Sequence, residues 1–355
     1  MSSIRNRAIC VLLAARLAGA PSGASGEDFF TIAVAPDLQQ EVLDANDTRL
    51  ASRFQWLVDN RQALNLLCLL QVGDFMNWDT PDHIQYERAT AAVEILDEAG
   101  LPFVFAIGNH DTQATGGTPE KPGGSARPGN THDNQRDTTV YNRYFPPARF
   151  TMLGGTYEPG KIDNAWHTFQ AGGLDWLVIN LELWPRRGAV EWAKTIVEQH
   201  PSHNVILLTH SFLKPTRGGV QIEQTNGGYG DNSPQFVFDE LVKPYRNFRL
   251  VFCGHAGVHG YRLDRGEHGN AVYQFMQTYH DSATNPVRLF TIDTNEGSIK
   301  SRVFCPSIGK NKEDGSTLEI KGVEWVRPAA APLPDTGRKT AFREKATNRP
   351  RADAA

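Results

Sequence analysis

Residues Val251–Gly260 read VFCGHAGVHG, two histidines four positions apart behind an apolar run. On a helix, His-x-x-x-His would put two imidazoles on one face, as metal ligands are often arranged. The glycines oppose that helix. Gly254, Gly257 and Gly260 each weaken a helical interior by about 1 kcal/mol relative to Ala. The stretch therefore reads as a strand, Arg249 to Cys253, closing in a glycine turn, with His255 where the strand stops and His259 beyond the turn.

The same form recurs along the chain. FFTIAVA, LNLLCLLQV, PFVFAI, LDWLVINLEL, NVILLT and FRLVFC are near-continuous apolar runs. Helical patterns lie between them, at about Thr48–Asn60, Pro81–Gly100, Ala189–Gln199 and Pro234–Val242. Apolar strands alternating with helices indicate sheets buried on both faces, hence an α/β layered fold. AVYQFMQTYH and VRLFTIDTNEGSIKSRVF follow without intervening helices and are expected to form antiparallel hairpins that close a second sheet. Thr112–Asp137, rich in Gly and Pro, is expected to be a mobile loop.

The chain has 355 residues, ample for a sizeable core, and a formal charge of −4. Residues 1–20 carry three arginines and no acid, and residues 338–355 carry six basic residues against Glu344 and Asp353, which leaves the body at −11. An acidic body argues against nucleic acid as a partner. Residues 1–25 have basic, apolar and small-residue regions in the order of a secretory signal peptide, so a secreted or periplasmic location is expected. Beyond the leader no stretch approaches the roughly 18 apolar residues of a transmembrane helix. Residues 27–328 then form one domain, and 329–355 a disordered basic tail. Cys68 and Cys253 fall inside apolar runs and read as buried thiols.

Several apolar runs end in residues suited to metal binding: Asp37 and Gln39, then Asp74, then Asn109, His110 and Asp111, then His210, then His255. In open α/β sheets the carboxyl ends of strands gather at one edge. Singly, each residue has a bland reading as a cap, a turn former or a surface histidine. Jointly, oxygen and nitrogen ligands from five strand ends are what two divalent cations sharing a carboxylate require.

At these residues the chain resembles the calcineurin-like metallophosphoesterases. Their motifs, Asp-x-His, Gly-Asp, Gly-Asn-His-Asp/Glu, a His after a strand and Gly-His-x-His, match Asp37, Gly73-Asp74, Gly108-Asn109-His110-Asp111, His210 and Gly254-His255 in order. The resemblance implies a four-layer α/β/β/α sandwich with its site at the strand ends, and two divalent ions of Mn, Fe or Zn. Asp37, Gln39, Asp74, Asn109, His210 and His255 are the implied metal ligands, with Asp74 bridging. Gln39 and QTYH before the last hairpin resemble a secreted bacterial branch whose first motif carries Gln. Gln39 and Gly257 stand where most members have His, so one site is expected to be weaker. Restoring both histidines should tighten it, unless the turn at Gly257 needs a positive φ.

The implied activity is hydrolysis of a small phosphoester, mono- or diester, by metal-activated water. His110 is the candidate general acid, oriented by Asp111 or with Asp111 as a turn residue. Glu182 is either an acceptor for a ligand histidine or a helix-entry residue. Trp78 and Trp184 are candidates for an aromatic wall, and Arg186 and Arg187 for a phosphate contact, against the plainer readings of core tryptophans and an exposed arginine pair. His259 reads as a rim histidine unless the turn folds back. Two other readings stay open: a non-catalytic or mononuclear metal-binding protein on a degenerate phosphoesterase scaffold, and metal-assisted hydrolysis of a different bond.

Overall fold

The computed structural model describes residues 29–118, 121–126 and 129–327, without the side chains of 117–128. The leader and the tail expected from the sequence lie outside the described residues.

Two seven-stranded sheets form the centre. In the first, Phe29–Ala35 pairs in parallel with Leu66–Gln71, which pairs in parallel with Phe103–Phe105. In the second, Leu174–Leu181, Asn204–Thr209, Phe248–Cys253 and Ala271–Gln277 run parallel in that order. Parallel neighbours put their C-terminal ends at one edge of each sheet.

Strand alternation sorts the apolar residues into layers. Phe30, Ile32, Val34, Cys68, Leu70, Trp176, Val178, Ile206, Leu208, Leu250 and Phe252 meet between the two sheets. From the same strands Ala33, Ala35 and Leu69 turn outward onto helices Arg49–Asp59 and Ile84–Glu98. Leu177, Ile179, Leu181, Val205, Leu207 and Val251 turn onto helix Arg187–Gln199 and the helical segment Pro234–Val242. Both faces of each sheet are therefore buried, which is why the strands are nearly continuous apolar runs, and the layers are helix, sheet, sheet, helix.

Two expectations are corrected. The hairpin Val287–Asp293 and Ser298–Cys305 extends the first sheet, antiparallel to Phe29–Ala35, while Ala271–Gln277 belongs to the second. The segment expected as a mobile loop contains a two-stranded hairpin, Thr115–Thr118 with Lys121–Ala126, and the helix Thr131–Arg136, capped by the Asn130 side chain. Cys68, Cys253 and Cys305 are buried free thiols. No helix among the described residues is long and apolar enough to cross a membrane.

Candidate metal centre

The motif loops leave the strand ends and are tied together by their backbones. Leu38 N–H donates to Asp74 O at 2.9 Å, and Gly254 N–H donates to His210 O at 2.8 Å. Two motif glycines allow close approach: a Cβ at Gly108 would lie 2.1 Å from Asp74 Oδ1, and one at Gly254 2.1 Å from Asp37 Oδ1.

Asp37, Gln39, Asp74, Asn109, His110, His210 and His255 converge where the two sheets meet. Ligand atoms of Asp74, His210 and His255 lie within 4.8 Å of one another, as do those of Asp37, Asp74 and His280, so Asp74 belongs to both groups. Three buried atoms beside them, Gln39 Oε1, Asn109 Oδ1 and His210 Nε2, have no hydrogen-bond partner. The orientation of each follows from its other end. Asn109 Nδ2 donates to Thr115 Oγ1 at 3.3 Å, and Gln39 Nε2 lies 3.5 Å from His110 Nε2. His210 Nδ1 lies 2.8 Å from Val72 O, and since a carbonyl can only accept, the lone pair is on Nε2. His210 Nε2 also lies 3.1 Å from Asp74 Oδ2, so the protonated ring faces that carboxylate and the neutral ring presents its lone pair there. Buried oxygens and an imidazole nitrogen left without partners beside two carboxylates are a donor set suited to divalent cations.

The electrostatics agree. Burial opposes the charge of Asp74, yet His210, His110 and His255 hold its carboxyl well below the usual carboxylate range. Burial lowers the proton affinity of His210, but Asp74 and Asp37 outweigh it and push the imidazole up to about 9. Such a field also draws a cation, so metal and proton compete for the same nitrogen. Burial, and then the neighbouring His210, push His255 down to about 4, which keeps it neutral and able to ligate.

His110 is held beside this group without belonging to either cluster. Its N–H donates to Asp74 Oδ1 at 3.0 Å, and its Nδ1 donates to Asn77 O at 2.5 Å, leaving Nε2 toward Gln39. Asp111 does not orient it. The Asp111 carboxylate accepts from the N–H groups of Asp74, Phe75, Met76 and Gly108, because it is buried beneath that turn.

Glu182 accepts from Arg186 N–H and its guanidinium rather than from a histidine, so the helix-entry reading holds. Arg186 also pairs with Glu158, and Arg187 lies exposed over the Phe236 ring. Trp184 packs edge-on against His255 but is only 4% exposed, with Gly227 and Gly230 close against its ring. It backs His255 instead of offering an open stacking face. Trp78 is half-buried and its backbone N–H donates to Gln85. His259 Nε2 donates to Asp314 O at 3.1 Å, apart from both clusters.

The residue that sequence reasoning missed is His280, whose Nε2 lies 3.0 Å from Asp37 Oδ2. The available signal was its place after an apolar strand, in the QTYH run, without the glycine that marks the other motifs.

The description "Calcineurin-like phosphoesterase" belongs to a family model that matches residues 30–258. The chain is 22% identical over 282 residues to the uncharacterized protein YvnB of Bacillus subtilis (strain 168), covering 75% of this chain but 19% of that protein. It thus spans about a fifth of the length of that relative. A dimetal phosphatase from Danio rerio, LOC 393393, has a similar fold, with TM-score 0.53, 11% identity, and coverage of 82% of this chain and 98% of that one. With the motifs at the strand ends and a family match over most of the described residues, this chain belongs to the calcineurin-like phosphoesterases.

Proposed function

We propose that the protein is a metal-dependent hydrolase of small phosphoesters, acting on mono- or diesters through a two-metal site, outside the cytoplasm if the leader directs export. One observation carries the reading: two carboxylate–imidazole groups share Asp74 beside three unpartnered buried donor atoms. The residues that would hold the ions are Asp37 and Gln39 on one side, Asn109, His210 and His255 on the other, and Asp74 between them. When bound, two divalent ions supply a nucleophile at neutral pH and neutralise phosphoryl charge.

The protein's own part is positioning and proton transfer. Asp111 and the glycine turns set Asp74. Val72 O fixes the tautomer of His210. Asn77 O holds Nδ1–H of His110, which leaves Nε2, beside Gln39, as the ring atom that would pass a proton to a leaving oxygen.

The rival reading, a binding protein on a degenerate scaffold, rests on Gln39 and Gly257. The sharing of Asp74 by two residue groups supports a two-metal site over the mononuclear form of this rival. Turnover of an aryl phosphate monoester and the matching diester, after reconstitution with Mn or Zn, is the test. Metal-dependent hydrolysis of either supports the proposal, and two bound metals with no hydrolysis of any phosphoester in a broad panel would favour the rival.

A further inference from the structure

We infer that His280 is the imidazole ligand of the metal site that Gln39 and Gly257 leave short of nitrogen, supplied from a different strand end. This rests on the two-metal reading above and concerns which residues of this chain hold the first ion.

Ala271–Gln277 runs parallel to Phe248–Cys253, so it delivers Tyr279 and His280 to the same sheet edge as His255. The delivered segment is fastened to the glycine turn itself. Thr278 N–H donates to Val258 O at 2.8 Å, and Thr278 Oγ1 donates to Ala256 O at 2.6 Å. His280 thereby reaches the site from the neighbouring chain segment that braces the turn where most members place their last histidine.

Position 257 cannot serve. Gly257 has φ +68°, which L side chains rarely adopt, and a Cβ there would lie 2.4 Å from Pro215 Cγ and 3.1 Å from Met276 Cε. A side chain at 257 would thus enter an apolar contact. His280 instead puts Nε2 3.0 Å from Asp37 Oδ2, with ligand atoms of Asp37, Asp74 and His280 within 4.8 Å of one another.

The backbone carries a second mark. Tyr279 and His280 are consecutive non-glycine residues at φ +57° and +40°. A left-handed backbone is costly for an L residue, and strain of this kind concentrates at functional sites. Two such residues in succession aim one imidazole at a carboxylate. His280 is also exposed at its outer side, 40% for the side chain, so it stands at the mouth of the site.

The test is metal binding by parent, His280→Ala and His259→Ala, measured by calorimetric titration with Mn and Zn and by metal content after dialysis. Loss of one ligand should weaken one of the two sites at least about 100-fold and leave the other within about threefold. His259→Ala should bind as the parent does, and all three apo proteins should melt alike, since a half-exposed imidazole carries little of the core. Parent-like affinity at both sites in His280→Ala overturns the assignment, as does weakening by His259→Ala in its place. A destabilised apo His280→Ala that keeps both sites would make the role structural and likewise overturn it. A parent that binds two ions through His280 yet hydrolyses no phosphoester would refute the proposed activity and leave this assignment standing.

Discussion

Asp111 accepts from the backbone N–H of Asp74 at 2.8 Å, while the Asp74 side chain belongs to both candidate metal-binding groups. The turn that carries the shared ligand is therefore moulded around a buried carboxylate. Asp74 sits at φ +56°, and four successive or converging N–H groups, from Asp74, Phe75, Met76 and Gly108, point at Asp111. Burial and the nearby Asp74 push Asp111 up to about 7, so the N–H donors are what favour its charge. In Asp111→Asn one oxygen becomes an NH2 that faces donors. Chemical denaturation should show a loss of about 2–4 kcal/mol, with weakened binding of both metals. Full stability and full metal content in the variant would contradict this account of the turn.

His110 is expected to separate chemistry from coordination. Its ring nitrogens face Asn77 O and Gln39 Nε2, and it lies outside both ligand groups. His110→Ala should bind both metals within about threefold of the parent and lose about 100- to 10,000-fold in kcat. The loss should be greatest for esters with poor leaving groups, which most need the proton. Parallel loss of metal and activity would make His110 a ligand.

The glycine turn permits a sharp prediction from its conformation. Gly257 has φ +68° and a Cβ there would lie 2.4 Å from Pro215 Cγ, so the turn cannot accept an imidazole without moving. Gly257→His should cost about 1–3 kcal/mol and tighten neither metal site. A variant that melts like the parent and binds an ion more tightly would show that the turn adapts.

Stability at acid pH turns on a buried histidine that belongs to neither candidate metal group. His167 is 1% exposed, its Nε2 lies 3.1 Å from Asn180 Oδ1, and burial pushes it down to about 4. The unfolded chain takes up this proton from about pH 6.5 downward and the native state only near 4. The stabilisation is thus whole above pH 6.5 and is lost as pH falls toward 4, at up to about 1.4 kcal/mol per unit and about 3 kcal/mol in total. Asp163 has the opposite sign in the same window: burial pushes it from 3.8 to about 6, so its contribution falls as pH rises. The measurement is therefore the difference between parent and His167→Gln in urea unfolding from pH 4 to 7. It should slope with pH, and a flat difference would refute the burial argument.

How much of this was readable in the sequence depends on whether a residue's partners are local. The layered fold was legible because Ile32, Val34, Leu70, Val178 and Phe252 lie in runs buried on both faces, and such runs have few other uses. The convergence of Asp37, Asp74, Asn109, His210 and His255 was legible because each follows such a run. The placement of Val287–Asp293 beside Phe29–Ala35 was not, since that pairing joins residues more than 250 positions apart with no local signal. The roles of Asp111 and Glu182 depend on which groups packing brings within reach, backbone N–H groups in one case and Arg186 in the other. His280 stayed hidden because its approach to Asp37 depends on a left-handed backbone at two non-glycine residues, a conformation that the sequence around them does not favour.

The central claim is that Asp74 joins two metal sites into one. It is tested most directly by counting metals per chain in the parent and in Asp74→Ala after reconstitution and dialysis. The account predicts two divalent ions per parent chain, none retained at parent affinity in the variant, and phosphoester hydrolysis lost with them. Two ions still held by Asp74→Ala would contradict it.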